Sequence, residues 1–358
     1  MKSGGEVRDS AKEAPEPRPV GRRPFWASLL LVSLFVAGVL VAFTPHYETN
    51  DDVAMNASIV GRLAFSHPDE HILHSNVLIG LALKKCYAVF PNVPWYGGYL
   101  FLTAALSLAA ICYVCLSQPG SEWNWLLIAT FLLVAGIPFL VELQFTRVAS
   151  VAALAGLLSL AGSVRAERIG WPTGLAIPFL LVASLIRFDA VVLTCVVVSP
   201  TIAWMLWRTR KQISARLSCL VLIACLVVGF AAQRYDAWYY DRDPAWQEYH
   251  RMNALLAEFV DYGRVDYTPE TASVIASVGW LPIDYQMLVN RAFLDRDRYN
   301  VRTLQAILDG TAAHGRTFSK PLLDLFRELF DDGELLGLWA FGAACLAILA
   351  IDKSAWFV

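Results

Sequence analysis

Charge is what this chain has little of. Lys, Arg, Asp and Glu make up 17% of its 358 residues, where soluble domains carry about a quarter. The signs nearly cancel, 29 basic residues against 31 acidic, which argues against nucleic acid as a partner. Cysteine is sparse as well. Six of the seven lie inside apolar runs, where a thiol packs as a small hydrophobe. Their spacing matches neither a disulfide framework nor a zinc site. A cleavable leader is missing too: a mixed-charge stretch of 24 residues comes first, the apolar run behind it is too long, and no small-residue cleavage pattern follows. That first stretch, 1–24, reads as a disordered tail. No internal repeat is visible.

What the chain has instead is long apolar runs, within a composition that is 57% hydrophobic. Eight stretches reach or approach the ~20 residues that cross a bilayer: 25–45, 96–116, 123–141, 148–164, 171–186, 190–207, 217–232 and 335–351. Arginine and lysine collect in the tail, at Arg165 and Arg168, and at Arg208, Arg210, Lys211 and Arg216, which places these segments and the N-terminus on the cytoplasmic side. A ninth apolar segment, 76–90, carries Lys84 and Lys85 in its middle. At the bilayer centre each lysine costs about 2.5–3.5 kcal/mol. A crossing there would also turn Arg165 and Arg168 to the outside. The expectation is a helix lying on the outer interface; the alternative is a crossing whose lysines face a protein-lined cavity. The fold class expected is therefore an all-α polytopic membrane protein with about eight transmembrane helices. Its parts are the tail, a membrane module over 25–233 with a first external loop at 46–95, a helical external segment over 234–333, and a last crossing within 334–358. In the external segment Asp243-Pro244 and Thr268-Pro269 read as helix starts and Gly279 as a stop.

Chemistry-bearing residues gather on the outer side. Asp51 and Asp52 follow the first crossing. Two adjacent carboxylates repel, and beside a low-dielectric bilayer at least one is expected to have a raised pKa, which suits a general base or a ligand for a divalent cation such as Mg or Mn. The structural alternative is a helix start, since Asn50-Asp51-Asp52 caps well. Glu142, Gln144 and Arg147 lie at one outer helix junction, Arg187 and Asp189 at another. Arginine there binds phosphate in a bidentate way, or snorkels, or pairs locally. His67, His71 and His74 stand at i, i+4 and i+7, so one helix face could offer them to a metal; polar residues at headgroup depth are the plainer reading. Aromatic side chains of the external segment, Trp246, Tyr249 and Tyr285 among them, with Asp284 alongside, suit sugar binding as well as an interfacial belt.

An acidic pair just after the first crossing resembles the first-loop signature of GT-C-type integral membrane glycosyltransferases. SNVLIGLALKKCYAVFPNVPWYGGYLFLTAAL is similar to the juxtamembrane helix and second crossing of bacterial members, and IPFLVELQFTRVASVAALAGLL to their next outer turn. The resemblance covers residues 25–300; the chain departs from it in having fewer crossings and a smaller external part. It implies a polyprenyl-phosphate sugar as donor, a glycan or lipid acceptor, membrane lipid as surroundings, and the bacterial cytoplasmic membrane as location. Asp51 or Asp52 would be the base. Arg147, Arg187, Lys84 and Lys85 would hold the donor phosphate, His71 and His74 a metal, and Trp246, Tyr249, Asp284 and Tyr285 the acceptor. A lipid or glycan transporter and a non-catalytic envelope scaffold are the competing readings.

Overall fold

The computed structural model describes residues 22–62, 67–117, 122–167, 169–260, 265–292, 295–312 and Gly342. Residues 1–21 of the tail and all of the 335–351 run except Gly342 lie outside the described residues, while 22–24, expected in the disordered tail, already belong to the first helix. The chain begins with α1 (Arg22–Ala42), a two-residue strand β1 (His46–Tyr47), α2 (Asn50–Val60), α3 (Val77–Val89) and α4 (Trp95–Leu116). Helix α5 (Glu122–Phe131) passes through a π-helical turn (Leu132–Gly136) into α6 (Ile137–Val141), and strand β2 (Glu142–Leu143) leads to α7 (Phe145–Arg165). There follow α8 (Trp171–Thr209), α9 (Ile213–Tyr240), α10 (Pro244–Val260), α11 (Pro269–Ser277), α12 (Pro282–Val289) and α13 (Val301–Ala312). The described chain is thus helical apart from one parallel pairing of β1 with β2. Among the described residues six helical stretches are long and apolar enough to cross a membrane: Arg23–Ala42, Trp95–Leu116, Asn124–Val141, Phe145–Arg165, Trp171–Thr209 and Ile213–Tyr240.

Two compact units divide the chain: one takes Met1–Val53, Pro94–Val228 and Gly337–Val358, the other Ala54–Val93 and Gly229–Leu336. The first unit is built around α7. Only Thr146, Gly162 and Arg165 of that helix escape burial, and a helix that is apolar all round belongs in a core. Its small residues let neighbours come close. A Cβ on Gly156 would lie 2.7 Å from Leu180 Cγ, so α8 packs directly on the α7 backbone. Gly342 likewise sits against Leu154, where a Cβ would meet Cδ1 at 2.5 Å.

Helix α8 is 39 residues long. Straight, it would measure ~58 Å, about twice the hydrocarbon thickness. It is not straight. Arg187 adopts an extended conformation (φ −158°, ψ 103°) and breaks it. The first limb runs antiparallel to α7: Thr173 Oγ1 donates to Ser163 Oγ at 2.8 Å, Leu180 faces Gly156, and Arg187 Nη1 donates to Thr146 Oγ1 at 2.8 Å. The second limb returns, for Gln212 Nε2 donates to Glu167 Oε1 at 2.9 Å, back at the far end of α7. The separation of 171–186 from 190–207 expected from sequence is this break. The expected run 123–141 is also helical, with the π turn just before Pro138. Proline has no N–H for the carbonyl four residues back and its ring crowds it, so the widened turn relieves both problems.

In the second unit α10–α13 enclose a small core of Leu255, Phe259, Val265, Ile275, Trp280, Tyr285, Leu288, Tyr299, Leu304 and Ile307. The helix starts lie where the prolines announce them. Asp243 Oδ1 accepts from the Ala245 N–H at 2.8 Å, and Thr268 caps α11 through a reciprocal pair with Thr271. Gly279, just past α11, takes the left-handed φ of +80° that glycine tolerates. Helices α11 and α12 are jointly apolar but bent by 96°, so they make no straight crossing. Helix α3 has 13 residues, starts one residue later than expected with Asn76 as its cap, and at ~20 Å is too short to span a bilayer.

Candidate functional site

The two acids of the pair part company. Thr49 stands one residue before α2 and caps it: its Oγ1 receives the Asp52 N–H at 3.4 Å and donates to Asp52 Oδ2 at 2.8 Å. The Asp52 carboxylate meets the cap's hydroxyl rather than its backbone N–H, so this is half of a capping box. The other Asp52 oxygen, Oδ1, accepts from the Tyr96 hydroxyl at 2.8 Å, and the Phe145 N–H donates to the same carboxyl. Asp52 is 0% exposed. Burial raises its pKa, against the lowering pull of these three bonds, and the neighbouring Asp51 charge adds to the rise. Asp51 is exposed. Sequence alone left the pair equivalent. The fold makes Asp52 an anchor and leaves Asp51 as the carboxylate that solvent reaches.

The arginines meet the same junction. The β1–β2 pairing sets His46 beside Glu142 and Tyr47 beside Leu143, which brings the chain leaving α1 next to the chain entering α7. Gln144 caps α7 by accepting the Arg147 N–H at 3.0 Å. Arg147 Nη2 lies 2.8 Å from Glu48 Oε1 and Nη1 3.3 Å from Glu142 Oε2. The residue is only 8% exposed, so its charge is matched by two carboxylates before any ligand arrives. Arg187 bonds Thr146 and lies over the Phe145 ring, 5.1 Å from its centroid. It pairs with no carboxylate among the described residues, Asp189 included. Three consecutive residues of the first turn of α7 thus hold three separate segments: Phe145 holds Asp52, Thr146 holds Arg187, and Arg147 holds Glu48.

Other residues singled out from sequence lie in the second unit. Lys84 Nζ is 2.5 Å from Glu70 Oε2, and Glu70 Oε1 accepts from Tyr239 at 2.8 Å; Lys85 is exposed. The histidine face does not form. Residues 67–76 are irregular, with a turn at Leu73–His74. Pro68 lacks an N–H, and Asp69 Oδ1 takes the His71 N–H at 3.0 Å, which competes with helical bonding. His71 is buried and His74 exposed. Among the described residues no three His, Cys, Asp or Glu side chains group as metal ligands. Asp284 and Tyr285 are architectural rather than open to an acceptor: Asp284 Oδ2 accepts the Leu281 N–H at 2.7 Å and Oδ1 meets Arg298 at 2.6 Å, while the Tyr285 hydroxyl donates to the Val265 carbonyl. Trp246 and Tyr249 do lie together, ring centroids 5.3 Å apart.

Sequence reasoning missed Thr49, Glu48 and Tyr96. Thr49 had a signal, its spacing of three from Asp52. Tyr96 had none, being one more aromatic in an apolar run. Cavities among the described residues lie elsewhere, two of them beside residues already named. One of about 720 Å³ borders α10 and the loop before α13, with Tyr249, Asn253 and Arg296 in its wall. The other, about 410 Å³, is an apolar groove between α1, α4 and α8 beside Phe25, Tyr113 and Trp171. Comparison with known proteins finds no matching family model, curated protein or solved structure.

Proposed function

We propose that this chain is an integral membrane glycosyltransferase that moves a sugar from a polyprenyl-phosphate donor to a glycan or lipid acceptor, on the outer face of a bacterial cytoplasmic membrane. One observation carries the reading. A solvent-facing carboxylate, Asp51, and a cation with charge to offer, Arg187, belong to one junction knit together by the first turn of α7. If both limbs of α8 and the 335–351 run are taken as crossings and the N-terminus as cytoplasmic, as the Lys/Arg bias argues, the chain crosses eight times and this junction stands at the outer boundary.

A lipid-linked donor keeps its tail in the bilayer, so its anomeric carbon lies at headgroup depth. There Asp51 removes the proton of the acceptor hydroxyl as its oxygen attacks that carbon. The leaving group is a phosphate, which needs positive charge rather than a strong acid, and Arg187 supplies it. Asp52 takes no part in proton transfer; it fixes the start of α2 so that Asp51 stands at the rim. Among the described residues no three His, Cys, Asp or Glu side chains group as metal ligands, and the step above uses only Asp51 and Arg187. Arg147, already neutralised, positions Glu48 and Glu142.

The test is transfer from a short-chain polyprenyl-phosphate sugar by purified protein in lipid. Asp51→Asn should lower turnover by about 10²–10⁴-fold with unchanged melting. Full activity in that variant would end the proposal. A second reading, a non-catalytic envelope scaffold, draws on the same geometry: a capped and buried Asp52 and a paired Arg147 are what a purely structural junction needs. Wild-type protein that binds glycans yet never turns over a donor would favour it.

A further inference from the structure

Away from that junction, the second unit holds a cluster of titratable side chains with no role so far. His71 Nδ1 lies 2.6 Å from Asp69 Oδ1. A carboxylate on Nδ1 selects the tautomer protonated there, so Nε2 of the neutral ring presents a lone pair. That Nε2 is buried and, among the described residues, meets no hydrogen-bond partner. Tyr240 stands edge-on to the imidazole with centroids 4.7 Å apart. It is 2% exposed, and its hydroxyl is also buried without a partner. Trp246 stacks on the imidazole at 4.9 Å and 25°, and Tyr249 packs against Trp246.

Buried polar atoms are nearly always satisfied, and an orphan marks a functional group or a missing molecule. Here two orphans belong to rings in direct contact. One can only accept and the other can donate. A single hydroxyl group complements both, its O–H donating to Nε2 and its oxygen accepting from Tyr240. The aromatic rings alongside suit the C–H faces of a sugar. We infer that Asp69, His71 and Tyr240 form a saccharide-binding site, in which one sugar hydroxyl bridges His71 Nε2 and the Tyr240 hydroxyl and Trp246 shifts to admit the ring. The site involves no transfer chemistry, so it stands or falls apart from the glycosyltransferase reading.

The experiment uses the full chain in lipid nanodiscs, labelled with 5-fluorotryptophan, with the Trp246 resonance assigned by its loss in Trp246→Phe. Methyl α-D-glucopyranoside, methyl α-D-mannopyranoside and methyl α-D-galactopyranoside are titrated to on the order of 50 mM, the range in which a few hydrogen bonds register. The Trp246 resonance should move with at least one of them, and Tyr240→Phe and His71→Gln should each weaken that response by about 10-fold. Tyr240→Phe removes one oxygen and keeps the ring, so it reads out even where His71→Gln fails to fold. A Trp246 resonance unmoved by all three glycosides, or a response kept in full by Tyr240→Phe, overturns the inference and leaves a resident water as the partner of both atoms.

Discussion

Single residues decide whether the acidic pair is one feature or two. Because burial raises the Asp52 pKa, the folded protein holds that proton more tightly than the unfolded chain does. The resulting stabilisation is present in full below the unfolded carboxylate value of about 3.9 and fades as pH rises through the native value. Relative to Asp52→Asn, wild type should therefore gain in melting temperature between neutral pH and mild acid; a wild type that loses ground on acidification contradicts the burial argument. Asp52→Ala strips the Tyr96 hydroxyl and the α2 cap of their partner and should cost about 1–3 kcal/mol at neutral pH. Arg187→Ala should raise the donor KM at least ~10-fold while Arg187→Lys recovers part of it, since a point charge replaces a fork. The sequence did put the acids and arginines at helix ends that the fold brings into one junction. It could not show which acid faces water, because that depends on Tyr96 and Phe145, more than 40 residues away in the chain.

Among elements, the contact between α7 and α8 is the tightest to test. Gly156→Ala would set a Cβ 2.7 Å from Leu180 Cγ and 3.2 Å from the Ala176 carbonyl. Alanine gains about 1 kcal/mol in helix propensity over glycine, but overpacking costs about 1–3 kcal/mol. The neighbour is a branch point and a backbone atom rather than a flexible tip, so the clash wins and Gly156→Ala should destabilise. Gly98→Ala in α4, with nothing within 4 Å of its Cβ, is the control and should not. A melting curve in detergent separates the two. Most helices were legible beforehand, because membrane-length apolar runs and Pro starts are local signals. The histidine helix was not. Its periodicity was genuine, but Pro68 and the Asp69 side chain gave the backbone other partners.

For the whole molecule, the proposed arrangement predicts sidedness. In intact cells a cysteine placed at Asp189 should react with an impermeant maleimide, and one at Lys211 should react only after the membrane is opened. Both residues flank the second limb of α8, which makes the pair a direct measure of that limb's direction. The same label at both positions would remove the eight-crossing arrangement and with it the outer placement of Asp51. Charge bias is the sequence's argument for this topology, whereas the meeting of His71 with Tyr240 depends on contacts between α9 and residues 67–77 that no local pattern encodes.

The break at Arg187 also constrains how the protein is made. Two limbs hinged at a single residue leave no connecting segment to wait outside while the second limb is synthesised. In the proposed arrangement the pair enters the bilayer as one folded-over hairpin, and the guanidinium at its turn crosses the hydrocarbon at a cost of about 2.5–3.5 kcal/mol. Ribosomes stalled before Trp207 should therefore leave the first limb uninserted, held at the insertion machinery until its companion emerges.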